Sequence, residues 1–223
     1  MKYALLALAL IISGCCNRPP NAPALAPDLF EQTVALVTHT PDGYRAYCSG
    51  VWVGQRYILT AAHCAEDQIV EFLTYDQVAG MPERANTAPR LAFVARVSKA
   101  DDLALLYTEA GPMHPIAQIA SDTPQPGAPV LVVGHPSGYW YTLTQGHLAQ
   151  VRTMKNPDDI TQTVLHISAP VWFGNSGGPA FDEHGELIGI SSFLARGPNL
   201  AFFVHRDTLD KFLAADASPE SEQ

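Results

Sequence analysis

The sequence predicts an all-β fold, two β-barrels packed against each other with one helix at the C-terminal end. Three observations carry this. From residue 33 onward the chain consists of short runs of β-branched, aliphatic or aromatic residues, cut by Gly, Pro, Asp and Asn. Many short strands with turn signals between them imply a barrel or a sandwich. Residues 111–127, rich in Pro and Gly, read as the crossing between two barrels, with a cleft where they meet. Near the end, Leu209, Phe212 and Leu213 share one helical face at i, i+3 and i+4, and Asp207 can cap that helix.

The elements follow in order. Strands are predicted over 33–38, 46–53, 56–60, 68–73, 91–97 and 103–107, then over 130–133, 139–144, 147–152, 163–168, 179–181, 186–192 and 200–204. Asp182-Glu183-His184-Gly185 is a turn between two of them. No internal repeat of solenoid period is present. The 223 residues suffice for one sizeable domain or a closely packed double barrel. Net charge is −9, from 22 acidic and 13 basic residues. That balance offers no basic face for nucleic acid and is the charge of a solvated surface.

The first residues read as a targeting segment. One positive charge at Lys2 precedes an unbroken apolar run, residues 4–12, too short to span a bilayer. It ends in Ile12-Ser13-Gly14-Cys15, which resembles a bacterial lipobox. On this reading residues 1–14 are a lipoprotein signal peptide and Cys15 is the lipidated first residue, an anchor to a membrane surface. Cys16 fits the pattern less well, because Ser13 would then stand where an aliphatic residue is wanted. Residues 15–28 complete the anchor and tether. Four prolines lie among residues 17–28, which favours an extended, poorly packed segment. Residues 29–216 are the folded domain and 217–223 a polar tail. Cys48 and Cys64 remain inside the domain, either as two buried thiols or as a disulfide that export would permit.

The chemistry centres on Gly174-Asn175-Ser176-Gly177-Gly178-Pro179. A hydroxyl residue among glycines can expose its Oγ and leave backbone N–H groups unpaired, a nucleophile and an oxyanion hole in one turn. Two earlier stretches give it weight: Thr60-Ala61-Ala62-His63-Cys64 and Asp102-Leu103-Ala104-Leu105-Leu106. His63 is the candidate general base, since an imidazole can take and return a proton near neutrality. Asp102, ahead of an apolar strand, is the candidate to orient it. Asp101 is its rival. The other histidines (His39, His114, His135, His147, His166, His184 and His205) read as surface or hydrogen-bonded structural residues. None shows metal-ligand spacing with Cys or an acid, so no metal and no cofactor is expected.

On these three stretches the chain resembles the chymotrypsin-like serine endopeptidases. It is most similar to their bacterial high-temperature-requirement (Deg-type) branch. Support for the branch comes from Val130-Leu131-Val132-Val133-Gly134-His135-Pro136-Ser137-Gly138 with Thr142-Leu143-Thr144-Gln145-Gly146, and from Gly185-Glu186-Leu187-Ile188-Gly189-Ile190 and Asn199-Leu200-Ala201-Phe202-Phe203-Val204. The resemblance implies two six-stranded antiparallel barrels, a His63-Asp102-Ser176 triad, and an oxyanion hole from the N–H groups of Gly174 and Ser176. It selects Asp102 over Asp101, because the acid stands directly before the aliphatic–small–aliphatic run. It also implies a Cys48–Cys64 bridge beside the histidine and peptide-bond hydrolysis of protein or peptide substrates. The lipobox resemblance, with a residue other than Asp after Cys15, implies an exported lipoprotein at the outer membrane, facing the periplasm or the cell surface. The peptide-binding domain that follows the protease in the Deg-type branch is not among these residues.

Asn175 departs from the digestive enzymes, which carry Asp there to pair with a new amino terminus. The departure implies activation without amino-terminal cleavage, the loop being ordered by its own contacts or only by substrate. By the same resemblance Pro170 and Val171 lie at the base of the specificity pocket, and Ile190, Ser191 and Ser192 form a wall. No charged residue is among them, so small or apolar side chains are expected before the scissile bond. Trp172 and Phe173 either narrow the pocket or belong to the core. A catalytically silent binding lipoprotein on the same scaffold, and an esterase, are the alternative functions.

Overall fold

The computed structural model describes residues 22–80, 85–111, 115–156, 159–195 and 199–215. The signal segment, Cys15, His114 and the polar tail lie outside them. The chain begins with helix α1 (Ala22–Gln32) and continues through β1 (Thr33–Thr40), β2 (Gly43–Gly54), β3 (Tyr57–Thr60), β4 (Ile69–Thr74), the single-turn helix α2 (Tyr75–Val78), β5 (Arg90–Ser98) and β6 (Leu103–Tyr107). The second half contains β7 (Pro129–Gly134), β8 (Thr142–Lys155), β9 (Thr161–Ser168), β10 (Pro179–Phe181), β11 (Leu187–Leu194), β12 (Ala201–His205) and helix α3 (Arg206–Ala214). These strands close into two six-stranded antiparallel barrels, β1-β2-β3-β6-β5-β4 and β10-β11-β12-β9-β8-β7. Read from β7, the second barrel has the strand order of the first.

Side-chain alternation explains why runs such as Leu103-Ala104-Leu105-Leu106 and Val130-Leu131-Val132-Val133 are apolar throughout. Ala104 and Leu106 fill the first barrel with Trp52, Ile58 and Phe72. Val130 and Val132 fill the second with Leu148, Leu165 and Phe203. Leu103, Leu105, Leu131 and Val133 face the other way, into a core that both barrels share with Phe181, Ile190 and Val204. Both faces of these strands are buried, so the polar half of the period-2 pattern disappears. Leu209 and Phe212 of α3 close this shared core from one end.

Three local expectations are corrected. Residues 22–28, expected to be an extended tether, form the first turns of α1. Pro23 sits in the first turn, where its missing N–H has no intrahelical partner; Pro27 forfeits one bond. Leu29 is fully buried in the shared core and Leu25 and Phe30 pack against it, and this burial outweighs the prolines. The strands expected over 139–144 and 147–152 are one strand, β8. Gly146, between the two expected strands, lies inside this one, where the Ser168 backbone passes so close that a Cβ would meet its carbonyl oxygen at 2.0 Å. Asp207 does not cap α3. His205 is the cap: its Nδ1 accepts the Asp207 N–H at 3.1 Å, and Asp207 stands in the first turn.

Cys48 and Cys64 form a disulfide across 16 residues. A loop of this length stabilises the folded state by about 3 kcal/mol on the chain-entropy account. Urea unfolding with and without reductant is expected to differ by about that amount. Equal midpoints would show that the bridge adds nothing.

Candidate active site

Register brings the first two candidate residues together. β3 pairs with β6 antiparallel, Thr60 opposite Ala104. His63 lies three residues beyond Thr60, in the 3-10 turn Ala62–Cys64. Asp102 lies two residues before Ala104, at a positive φ of 53°. The two therefore leave the same end of one strand pair. His63 Nδ1 is 3.0 Å from both Asp102 oxygens, and the His63 backbone N–H reaches Oδ1 at 3.2 Å. Ser192 donates its hydroxyl to Oδ2 at 2.6 Å. Since an ionised carboxylate only accepts, Nδ1 carries the ring proton and Nε2 is left able to take one. Asp101 is engaged elsewhere, its Oδ2 accepting the Ser98 hydroxyl at 2.7 Å.

Ser176 stands in the turn between β9 and β10, half-buried, beside His63 on one cavity of about 450 Å³. The turn, between two strands of the second barrel, is tied to the first. The Ser49 N–H donates to the Ser176 carbonyl at 2.8 Å, and the Cys64 sulfur lies 3.6 Å from the same oxygen. Among the described residues, neither the Gly174 nor the Ser176 backbone N–H has a hydrogen-bond acceptor. Gly174 has φ 101°, and a Cβ there would lie 2.2 Å from the His135 carbonyl oxygen, so only glycine fits. Asn175 is buried, its amide nitrogen without a partner among the described residues.

Val171, Ser191 and Ser192 line this cavity, and so do Phe193 and Leu194, which the sequence did not single out. Pro170 does not. It is exposed and borders a neighbouring cavity of about 430 Å³. Ile190 does not reach it either, being fully buried in the core between the barrels. Trp172 and Phe173 are 57% and 70% exposed and flank the cavity, which excludes the core reading. No Asp, Glu, Lys or Arg borders the cavity among the described residues. A second cavity, of about 600 Å³, also borders His63, lined by Glu66, Asp67 and Glu71 together with Val37, Ile69, Val70 and Leu91. Cys48, Cys64 and His63 offer ligand-type atoms within 4.8 Å of one another, but the sulfurs are bonded to each other rather than present as the thiolates a zinc site takes.

The Trypsin-like peptidase domain family matches residues 48–190. This chain belongs to that family. The trypsin-like domain is 31% identical over 176 residues to the serine endoprotease DegS of Salmonella typhimurium, which covers 77% of this chain and 46% of that one. It is 36% identical over 106 residues to a probable periplasmic DegP-like serine endoprotease of Marinomonas sp., covering 46% of this chain and 22% of the relative. The domain thus spans less than half the length of these relatives. Among solved structures, the active form of the Rv3671c protease from Mycobacterium tuberculosis superposes with a TM-score of 0.71 at 22% identity, covering 91% of this chain and 90% of that one. This last likeness is one of fold.

The sequence singled out no role for Ser49 and read His135 as a surface or hydrogen-bonded structural residue; the hydrogen-bonded reading holds, with His135 Nδ1 2.8 Å from Ser49 Oγ. His135 is fully buried, and burial pushes its imidazole down to about 3. Between that value and the ordinary pKa near 6.5 the unfolded chain binds a proton that the folded one does not. Stability therefore falls as pH drops below about 6.5, by about 1.4 kcal/mol per pH unit from this residue, and the slope ends near pH 3. Urea unfolding at pH 7 and pH 5 is expected to show this loss, and His135→Asn to reduce the difference. An unchanged pH dependence in the variant would place the effect elsewhere.

Proposed function

We propose that this domain is a serine endopeptidase that cleaves peptide bonds through an acyl-enzyme. Ser176 Oγ attacks the scissile carbonyl. His63 Nε2 takes its proton and returns it to the leaving amine, while Asp102 holds the tautomer and stabilises the imidazolium. The N–H groups of Gly174 and Ser176 receive the oxyanion. The observation that supports this most is the Asp102–His63 pair, with Nδ1 as the donor and His63 on the same cavity as Ser176.

Val171, Ser191, Ser192, Phe193 and Leu194 would receive the side chain before the scissile bond. Their lack of charge favours small or apolar groups, because an unpaired charge is costly to bury. A peptide-library profile dominated by Lys, Arg, Asp or Glu at that position would reject this preference.

In the same proposal the domain belongs to an exported lipoprotein, held at the outer membrane by lipid on Cys15. Incorporation of labelled palmitate, lost in Cys15→Ser, tests it. Among the described residues no helix is long and apolar enough to cross a membrane.

A fluorophosphonate probe tests the central claim. Folded, disulfide-intact protein should be labelled, and mass spectrometry should find the adduct on Ser176. Absence of labelling would favour a silent binding scaffold. Turnover of small esters without cleavage of casein would favour an esterase.

A further inference from the structure

We infer that Ser49 is a positioning residue of the oxyanion hole, its hydroxyl oriented by His135 and holding the nucleophile turn in its working shape before substrate arrives. This rests on the peptidase reading above.

Three peptide units around Asn175 shape the hole. In a planar trans peptide the C=O and N–H point in opposite directions, so fixing one aims the other. The Gly174 N–H shares its peptide with the Phe173 carbonyl, which accepts the Ser137 N–H at 2.7 Å. The Ser176 N–H shares its peptide with the Asn175 carbonyl, which accepts the Gly178 N–H at 2.8 Å. Both oxyanion donors thus have their backs fixed. Between them lies the peptide carrying the Gly174 carbonyl and the Asn175 N–H, and on it depends the relative orientation of the two. The Asn175 N–H reaches the Trp172 carbonyl at 3.0 Å. The Gly174 carbonyl accepts the Ser49 hydroxyl at 2.8 Å.

The proton count on Ser49 assigns His135. A hydroxyl has one proton, and the Gly174 carbonyl can only accept it. The second contact of Ser49 Oγ, 2.8 Å to His135 Nδ1, therefore needs the imidazole to donate. His135 is a neutral Nδ1–H tautomer, and among the described residues its buried Nε2 has no hydrogen-bond partner. Burial in place of a second polar contact suits a group that must stay uncharged. Ser49 is itself fully buried. Its main chain adds two ties, N–H to the Ser176 carbonyl and C=O to the Thr60 hydroxyl at 2.7 Å. One strand residue of the first barrel thereby joins the start of the His63 turn to both ends of the Gly174–Ser176 segment. The 135–138 turn is anchored in its own right: Arg45 donates to the Ser137 carbonyl at 2.7 Å, and Ser137 is held at a φ of 55°.

Ser49→Ala removes this hydroxyl from a small buried site. A peptide substrate, a peptide boronic acid that mimics the tetrahedral adduct, and binding of an uncleaved peptide in the Ser176→Ala background together test the inference. Relative to the parent, kcat should fall about tenfold at unchanged KM, as one lost hydrogen bond implies. Boronate affinity should fall by the same factor, and the uncleaved peptide should bind as before. Unchanged kcat in a folded Ser49→Ala protein overturns the inference. So does a parallel loss of peptide binding, which would mean that the groove itself has collapsed. If Ser49→Ala does not fold, His135→Leu must show the same loss in kcat alone, and wild-type kcat there overturns the inference too. A wild-type protein that neither cleaves peptide nor binds boronate would bring down the peptidase reading and this inference with it. An active wild type with an indifferent Ser49→Ala brings down the inference only.

Discussion

Asp102→Asn is expected to lower kcat by roughly 10⁴-fold with little change in fold, the size of loss that the same exchange causes in a Ser-His-Asp triad. Three donors converge on this carboxylate: the His63 Nδ1–H, the His63 backbone N–H and the Ser192 hydroxyl. Two oxygens can accept all three. An amide has one oxygen, so its NH₂ must face either the imidazole or Ser192. The backbone N–H and the Ser192 hydroxyl compete for the single oxygen. When the NH₂ faces Nδ1, the ring proton moves to Nε2, and Nε2 can no longer take the Ser176 proton. Thermal unfolding should move little, because Asp102 retains its turn before β6. Steady-state kinetics at pH 8 measure the effect. A loss below tenfold would mean that Asp102 does not set the tautomer.

Gly174→Ala is expected to lower kcat by about 10²- to 10³-fold, the loss that follows removal of one oxyanion donor. The methyl group would sit 2.2 Å from the His135 carbonyl oxygen, on a backbone at φ 101°. Neither feature tolerates a side chain, so the 173–174 peptide must rotate and take its N–H out of the cavity. Ser176 and the His63–Asp102 pair lie outside the displaced unit. Fluorophosphonate labelling should slow greatly without being abolished, and KM should move much less than kcat. Wild-type labelling rates in Gly174→Ala would refute the assignment of that N–H.

Asn175 bears on the same turn. Its buried amide carries no charge, so the turn needs no ion pair to hold it. The sequence left open whether the loop is ordered by its own contacts or only by substrate. Hydrogen bonds from Ser137, Gly178 and Ser49 reach its Phe173, Asn175 and Gly174 carbonyls, contacts that favour the first reading.

Much of the architecture could be read from residue pattern, because a strand buried on one or both faces and bounded by turn residues leaves a local trace. Leu103–Tyr107 and Pro179–Phe181 have the predicted bounds, and the crossing between barrels falls in the Pro- and Gly-rich stretch before Pro129. Errors arose where long-range contact overrode a local signal. Burial of Leu29 made a helix where prolines spoke for a tether, and the close passage of Ser168 put a glycine inside β8. The specificity pocket was the least legible part of the site. Whether Pro170 or Ile190 faces a cleft depends on how two barrels meet, and spacing from Ser176 carries no such information.

What the sequence determined alone was the chemistry available and the kind of fold: a serine among glycines, a histidine after one apolar strand, an aspartate before another, and the strands that could bury them. These are local properties, written in residue type and short-range pattern. Tertiary structure alone decided which hydrogen bonds orient those groups. Ser49 and His135 are 86 residues apart, Ser49 and Gly174 are 125 apart, and Ser192 meets Asp102 across 90. A hydroxyl has no preferred partner along the chain, so its role exists only once the barrels have closed and brought a lone pair within reach.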